Sequence, residues 1–460
     1  MIHSINSFFS MLAILLMFSS CTDFVEVDLP KSQLTAQAVF DNYDTANAAL
    51  TNIYSKMRDN GILNGSTMGI SNQLGNYADE LTAYGLPSNA VFSFYDNTVP
   101  ASSTVVLTYW NNSYNQIYTA NAILKGVENS INFSEDRKKQ LLGEALFIRA
   151  LSHFYLLNLF GGIPYIKETD YEQNTKVSRM AEEKVYQNII NDLNQAMELL
   201  PENYTSADRI RPNKYVCHAF LARVYLYNKM YEQASNEASA VLNKTELFIM
   251  ENDLSKVFLN NSKETIWQLQ TSVAGQNAAE GSFFIFQAGP PSTVALRPYL
   301  LNSFSNADLR KASWIRTVTN ANGSWSHAYK YKEQNNTSVS KEYSIIFRTA
   351  EQYLIRAEAR IRQGDLIGAK EDLNKIRNRA GLTGTAAVSP QEILNAILQE
   401  RSWELFTEQG HRFFDLRRFG QIDAVLSEVK PGWDTTDKLL PLPENELNLN
   451  PNLLPQNPGY

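Results

Sequence analysis

Apolar residues recur at helical spacing over much of the chain. From Leu141 to Phe160 they occur almost all round the predicted helix, and the pattern stops at Gly161, so we expect a buried helix with a sharp exit. A second helix is predicted over residues 182–200, where Ile189 and Ala196 lie two turns apart on one face and a proline follows. The spacing of this second helix fits a tetratricopeptide unit.

Two later segments, residues 213–243 and 349–377, match each other at a fixed offset of 135 positions. Each reads as two helices joined by a short turn, and small residues that permit close helix packing recur at matching places. These are Ala222 and Ala357 in the first helices and Ala234 and Ala369 in the second helices. We therefore predict a mostly α fold with a tetratricopeptide-like helical hairpin scaffold; an unrelated pair of helical hairpins is the alternative.

Long irregular insertions separate the helical units. The first insertion, residues 60–110, and the second insertion, residues 267–343, are rich in Asn, Ser, Gly and Thr and also in aromatic residues. Aromatic rings among small polar residues either bury a loop against the body or form exposed platforms for a ligand. For any single ring, burial is the more common outcome.

The N-terminus predicts export. An apolar run over residues 8–18 is too short to span a bilayer and ends in Ser19 and Ser20, so residues 1–20 read as a signal peptide. Cys21 follows directly and looks like the lipidated cysteine of a bacterial lipobox, with acidic residues after it. The alternative is a plain secretory peptide followed by a free thiol.

Charge and cysteine content exclude several partners. With 41 basic and 48 acidic side chains the formal net charge is −7, which makes nucleic acid an unsuitable partner. If Cys21 carries lipid, Cys217 is left alone in an apolar helical pattern, where a buried inert thiol is the default. No segment after the signal peptide is apolar enough to cross a membrane.

No catalytic constellation is found in the sequence. The chain has no His-Glu-x-x-His, no cysteine pair at metal spacing, no phosphate-binding glycine loop and no Gly-x-Ser-x-Gly. Asp79 and Glu80 are adjacent and point in divergent directions, and Cys217 and His218 do not face each other on a helix. We therefore expect a protein that is not an enzyme and that uses no metal or other cofactor.

The C-terminal third carries the most specific motifs. Residues 400–420 are rich in Arg, Glu and Phe, and Asp415 lies three positions from both Arg412 and Arg418, so on a helix it can pair with each. The Pro- and Asn-rich tail, residues 439–460, cannot form a long helix and is expected to dock its leucines along the body as an irregular strap.

Together with residues 143–150, residues 160–164 and the Asp79-Glu80 pair, these motifs resemble the SusD/RagB family of outer-membrane nutrient-binding lipoproteins. The resemblance runs in matching order from the lipobox to Tyr460. It implies a signal peptide over 1–20, an N-terminal SusD-like region over 21–265 with tetratricopeptide-like helices, and a C-terminal region over 266–460.

The resemblance implies a cell-surface lipoprotein that captures oligosaccharide or polysaccharide and passes it to a SusC-like TonB-dependent transporter, over which it sits as a lid. Peptide binding by the same architecture and a surface glycoside hydrolase are the alternatives. Ligand residues in this family come from the segment around Asp79 and from the long insertion before the final hairpin. The resemblance and the aromatic content together place the expected ligand-binding residues at Asp79, Tyr84, Tyr95, Trp314 and Trp325.

Overall fold

The computed structural model describes residues 39–128 and 130–460. The predicted signal peptide and the predicted lipidation site, Cys21, lie outside the described residues. Within them, no helix is both long enough and apolar enough to cross a membrane.

Helices dominate the described part of the chain. They are α1 Tyr43–Asp59, α2 Ile70–Tyr77, α3 Val91–Tyr95, α4 Thr104–Glu128, α5 Glu135–Phe160, α6 Tyr171–Asn174, α7 Glu182–Leu199, α8 Lys214–Tyr227, α9 Tyr231–Leu242, α10 Ala279–Phe284, α11 Pro298–Ser303, α12 Leu309–Trp314, α13 Thr349–Arg362, α14 Leu366–Arg379, α15 Pro390–Leu405, α16 His411–Arg418, α17 Ile422–Val429 and α18 Glu444–Leu449. The strands are β1 Leu81–Ala83, β2 Thr265–Leu269, β3 Val294–Leu296, β4 Ile315–Asn320, β5 Gly323–Ala328 and β6 Ser344–Arg348.

The scaffold is a row of helices in which α4, α5, α7, α8, α9, α13 and α14 each pack on the next. The two predicted hairpins are confirmed as α8 with α9 and α13 with α14, and the four alanines that were expected at their contacts are fully buried. Helix α9 packs directly on α13, so the hairpins are neighbours in space although the second insertion separates them in sequence. The mostly α prediction is confirmed.

Strand pairing explains how the second insertion leaves and rejoins this scaffold. Strands β2 and β6 are antiparallel, and Thr265 lies opposite Arg348, so the two ends of the insertion meet at one place. The insertions were expected to be irregular loops, but each contains short regular elements: α2, β1 and α3 in the first, and α10 to α12 with β3 to β5 in the second.

A separate apolar core lies beneath the insertions. It contains Leu81 and Val91 from the first insertion and Phe284 and Val294 from the second, and Phe406 contributes from the chain after α15. Because residues more than 200 positions apart share this core, neither insertion can bury its apolar side chains alone.

The motifs of the last third are structural, with one difference from expectation. Asp415 pairs with Arg418, as predicted, and with Arg401. Arg412, the other expected partner, pairs instead with Asp79 from the first insertion. The tail forms the expected strap: the Leu440 amide donates to the carbonyl of Leu159, and the helical turns within the tail are short.

Candidate ligand-binding site

The two insertions are joined by the short antiparallel pair of β1 and β3, in which Leu81 lies opposite Leu296. Backbone bonds extend the pairing at both ends: the Tyr84 amide donates to Thr293 at 2.7 Å, and the Arg297 amide donates to Glu80 at 2.8 Å. Strand β3 also lies beside β5 of the β4–β5 hairpin. We call residues 80–95, 289–299 and 315–328 the insertion junction.

Trp325 is half-buried in β5 and packs on a glycine backbone. A Cβ atom added at Gly289 would lie 2.1 Å from Cε3 of Trp325, so the ring occupies the space that any larger residue at 289 would need. The hairpin is tied to the same point, because the Asn320 side chain donates to the Gly289 carbonyl at 2.6 Å. The Trp325 ring is therefore held in a fixed position against the segment that leads into β3.

Tyr95 is half-buried at the end of α3 and lies against two basic side chains. The Lys430 ammonium lies 4.2 Å from the ring centroid and the Arg297 guanidinium 5.8 Å from it. Burial of the amine, with Arg297 close by, lowers the pKa of Lys430 to about 7. Tyr95 thus has a cation–π contact with Arg297 and packs against the Lys430 amine. Tyr299, at the start of α11, is exposed over 44% of its surface.

Three predicted rings fall along one stretch of chain, residues 289–297. Trp325 packs at Gly289, the Tyr84 backbone pairs at Thr293, and Tyr95 lies against Arg297. Successive positions are four residues apart, at most about 13 Å in extended chain. The three residues therefore meet this segment at three different points along its length, which suits an elongated ligand.

Trp314 is not available to a ligand, which corrects the expectation of an exposed platform. Its side chain is fully buried in the core beneath the insertions, and its Nε1 donates to the Leu254 carbonyl at 2.9 Å. The ring meets Phe258 edge-on, and the Lys330 ammonium lies 5.2 Å from its centroid. As the last residue of α12, directly before the buried start of β4, Trp314 anchors the hairpin from below.

Asp79 is likewise a structural residue and not a free ligand group. It is buried, and its two carboxylate oxygens accept bonds from Arg412 at 2.8 and 2.6 Å. Its neighbour Glu80 accepts from the Thr407 amide, and burial, with Asp79 beside it, raises the pKa of Glu80 to about 8. The pair ties the first insertion to the C-terminal third and presents no acid and base to a cleft.

Sequence reasoning missed Gly289 and Arg297 in the junction, and also Lys430, which contacts the junction through Tyr95. Gly289 precedes two prolines, a pattern that predicts a turn but does not indicate that the Trp325 ring packs on this glycine. Lys430 follows α17, more than 300 positions after Tyr95, and no local pattern connects the two. Tyr299 belongs to the aromatic content of the second insertion, but only the structure shows that this ring faces solvent.

Other candidate groups have structural roles. Cys217 is fully buried, and burial raises the pKa of its thiol, while His218 pairs with Glu237. Among residues 39–128 and 130–460, no group of three or more His, Cys, Asp or Glu side chains is arranged to hold a metal ion.

Solved structures share this fold. A SusD superfamily protein from Bacteroides vulgatus superposes with a TM-score of 0.79 at 20% identity, covering 92% of this chain and all of that one. A structure described as a laminarin binding SusD-like protein gives the same TM-score at 23% identity over 91% of this chain and all of its own.

Matches to known families cover residues 23–460 of the chain. A family model described as "Starch-binding associating with outer membrane" matches residues 23–226, and the SusD family model matches residues 224–460. SusD-like protein P2 of Formosa agariphila is 30% identical over 79% of this chain and 82% of its own length. SusD-like protein P25 of the same organism is 25% identical over 97% of this chain and 98% of its own. The chain therefore belongs to the SusD/RagB family.

Proposed function

We propose that this protein binds an oligosaccharide or polysaccharide along the insertion junction. The observation that carries the proposal is that three partly exposed aromatic residues, Trp325, Tyr84 and Tyr95, meet residues 289–297 at successive points. Flat rings offer apolar faces to the C–H surfaces of sugars, and the hydroxyl and amide side chains around them match sugar hydroxyls. Tyr299 adds an exposed ring near one end of this segment.

The relatives support a carbohydrate ligand. One related structure is described as laminarin binding, another as a SusD-like carbohydrate binding protein of Bacteroides fragilis, and a curated relative is the starch-binding protein SusD of Bacteroides thetaiotaomicron. The SusD match is 36% identical over 25% of this chain, so it supports the class of ligand and not a particular glycan.

Binding without cleavage is part of the proposal. The adjacent carboxyls in the first insertion are occupied, Asp79 by Arg412 and Glu80 by the Thr407 amide, so neither is free to act on a glycosidic bond. We also propose that Cys21 is diacylated, that the protein sits on the outer face of the outer membrane, and that it hands its ligand to a SusC-like TonB-dependent transporter as a lid.

The test of binding is titration calorimetry against soluble polysaccharides and peptides, with the parent and the variants Trp325→Ala and Tyr84→Ala. We expect binding to a glycan, with each variant weakened roughly tenfold, a loss of about 1.4 kcal/mol. Tyr171→Ala is the matched control, because Tyr171 is exposed but lies in α6, outside the junction. Binding to peptides alone, or release of shorter sugars from a clean incubation, would reject the proposal.

The transporter is tested by detergent extraction at native expression. A lid that stays on its barrel buries a surface on the order of 2,000 Å² or more, which survives purification. We expect the barrel to co-purify with the tagged lipoprotein. Consistent recovery of the lipoprotein alone, with the barrel present in the same extract, would reject the proposal that the protein acts as a lid on a transporter.

A further inference from the structure

The insertion junction is basic, although the chain as a whole has a net charge of −7. Residues 281–332, which contain β3, β4 and β5, include six basic residues and one acidic residue. In the sequence of the junction itself Glu80 is the only carboxyl. Burial, with Asp79 beside it, raises the pKa of Glu80 to about 8, so this carboxyl is uncharged at neutral pH. Arg297 and Arg316 keep their charges, and the junction is therefore positive.

Four of the six basic residues are free to meet an anionic ligand. The other two, Arg310 and Lys330, are buried and paired with glutamates beneath the insertions. The free ones are partly or largely exposed, donate to uncharged oxygens, and form no ion pair with any residue of 39–128 or 130–460; they are Arg297, Lys311, Arg316 and Lys332. Cations that are left unpaired beside a ligand surface favour negative ligands.

Arg316 lies on the same face of the β4–β5 hairpin as Trp325. Arg316 is opposite His327 and Val318 is opposite Trp325, and side chains two positions apart on a strand point to the same face. Arg316 and Trp325 are therefore diagonal neighbours, roughly 7–8 Å apart. A sugar that stacks on the Trp325 ring thus brings its own substituents, or those of the next sugar, close to the Arg316 side chain.

Arg316 and Lys332 both contact the ring of Tyr329, the residue that follows β5. The Arg316 guanidinium lies 4.7 Å and the Lys332 ammonium 5.1 Å from the ring centroid. Burial of the amine, with the Arg316 charge close by, lowers the pKa of Lys332. The Glu342 carboxylate does not balance the two charges at the surface, because it is buried and accepts from the amides of Lys332 and Glu333. An anionic ligand at this end of the hairpin would relieve the repulsion.

We propose that the ligand of the insertion junction is an anionic glycan, whose sugars carry carboxylate or sulfate groups, and that Arg316 and Lys332 bind these groups. The inference rests on the proposed glycan binding and adds the charge of the ligand to it. One sugar stacks on Trp325, and an acidic group accepts from the Arg316 guanidinium. Within the described residues Arg316 uses only Nη1, on the carbonyls of Ala312 and Ile315, so Nε and Nη2 remain for the ligand.

The experiment titrates the full chain by calorimetry with anionic polysaccharides and with the uncharged form of each. Polygalacturonate and alginate, each beside its carboxyl-reduced form, test carboxylates; carrageenan and dextran sulfate, each beside its unsulfated form, test sulfates. We expect at least one anionic probe to bind at least roughly tenfold more tightly than its uncharged form. Its affinity should fall as NaCl rises from about 50 to about 500 mM, because salt screens exposed charges. The two kinds of probe distinguish a carboxylate from a sulfate ligand.

Arg316→Gln and Lys332→Gln should each weaken the anionic probe roughly tenfold and leave binding of the uncharged form within about twofold. Arg137→Gln is the matched control, because Arg137 is also exposed and its guanidinium lies 4.4 Å from the centroid of the Tyr43 ring, but it belongs to α5, outside both insertions. This control should bind the anionic probe as the parent does. The melting temperature of each variant verifies that it is folded.

Two outcomes overturn the inference and leave glycan binding in place. In the first, the uncharged polysaccharides bind as tightly as their anionic forms. In the second, a folded Arg316→Gln/Lys332→Gln double variant keeps the full preference for the anionic probe. If the chain binds no polysaccharide of either kind, the proposed function is rejected, and this inference is rejected with it.

Discussion

Arg412 and Asp79, 333 positions apart in the chain, form a buried two-bonded ion pair, with Nε 2.8 Å from Oδ1 and Nη2 2.6 Å from Oδ2. The pair connects the segment between α2 and β1 with helix α16, and so fixes the first insertion to the C-terminal third. The guanidinium and the carboxylate satisfy each other in the interior, which leaves neither free to bind a ligand.

Asp79→Ala should therefore destabilise the protein by about 3–5 kcal/mol, because it leaves the Arg412 charge buried and unpaired. The double variant Asp79→Ala/Arg412→Met should lose less than the single variant, since no isolated charge remains. Urea unfolding measures both, and Asp96→Ala, at an exposed position close by, is the control. An Asp79→Ala protein of parental stability that no longer binds glycan would instead make Asp79 a ligand residue.

The sequence located the motif that contains Asp79 but not its role. The resemblance placed Asp79 and Glu80 in the segment from which the family draws ligand residues, and helical spacing offered Asp415 as the partner of Arg412. Local spacing carries no information about a contact across 333 positions. Asp79 could be a ligand residue or the ion-pair partner of Arg412, and only the fold, which brings α2 and α16 together, distinguishes these two roles.

Trp314 and Trp325 should respond to alanine substitution in opposite ways. Trp314→Ala removes a fully buried ring and should cost about 3–5 kcal/mol of stability. Trp325→Ala removes a half-buried ring from the hairpin and should change stability by about 1 kcal/mol or less, while glycan affinity falls roughly tenfold. Thermal unfolding and calorimetry on the same samples separate the two effects; equal losses of stability would place both rings in the core.

The pH dependence of stability should contain a contribution from Glu280. This carboxyl is buried, Ser344 donates to it at 2.7 Å, and burial raises its pKa from 4.5 to about 7. The folded state therefore keeps the Glu280 proton to a higher pH than the unfolded state does. The stabilisation that protonated Glu280 contributes is fully present below about pH 4.5 and is lost as the pH rises through about 7.

Glu280→Gln removes this dependence. Relative to the parent, the variant should gain on the order of 3 kcal/mol of stability between pH 5 and pH 8, because the glutamine never ionises. Urea unfolding at both pH values gives the difference, and Glu371→Gln at an exposed site of α14 is the control. A parent and variant with parallel pH profiles would contradict the shift.

The helical scaffold was predictable because its information is local. The small residues at Ala222, Ala234, Ala357 and Ala369 recur at helical spacing and lie at the helix contacts that the spacing implied. The insertions were read as irregular loops because their strands are only three to six residues long, and because β1 and β3 pair across more than 200 positions. Whether a ring such as Trp314 or Trp325 is buried depends on that pairing, and composition does not encode it.

Cys21→Ala tests the predicted lipid anchor. Each acyl methylene buried in the membrane contributes about 0.8 kcal/mol, so two chains hold the protein firmly and their loss should release it from the membrane fraction. The variant should also fail to incorporate a palmitate analogue. Cys217→Ala is the matched control and should label normally, because Cys217 is buried inside α8. Normal labelling of Cys21→Ala would remove the lipoprotein assignment.

Gly289→Ala tests whether glycan binding depends on the position of the Trp325 ring as well as on its presence. An added Cβ would lie 2.1 Å from the ring, so the indole must move away from residues 289–297. We expect glycan affinity to fall roughly tenfold, as in Trp325→Ala, while the wild-type tryptophan remains in the chain. Gly384→Ala, where the added Cβ would meet only the Asn374 side chain at 3.1 Å, is the control. Gly289→Ala could instead bind glycan as the parent does while Trp325→Ala does not. The Trp325 ring would then contribute to binding from more than one position, and its placement at residue 289 would not select the ligand.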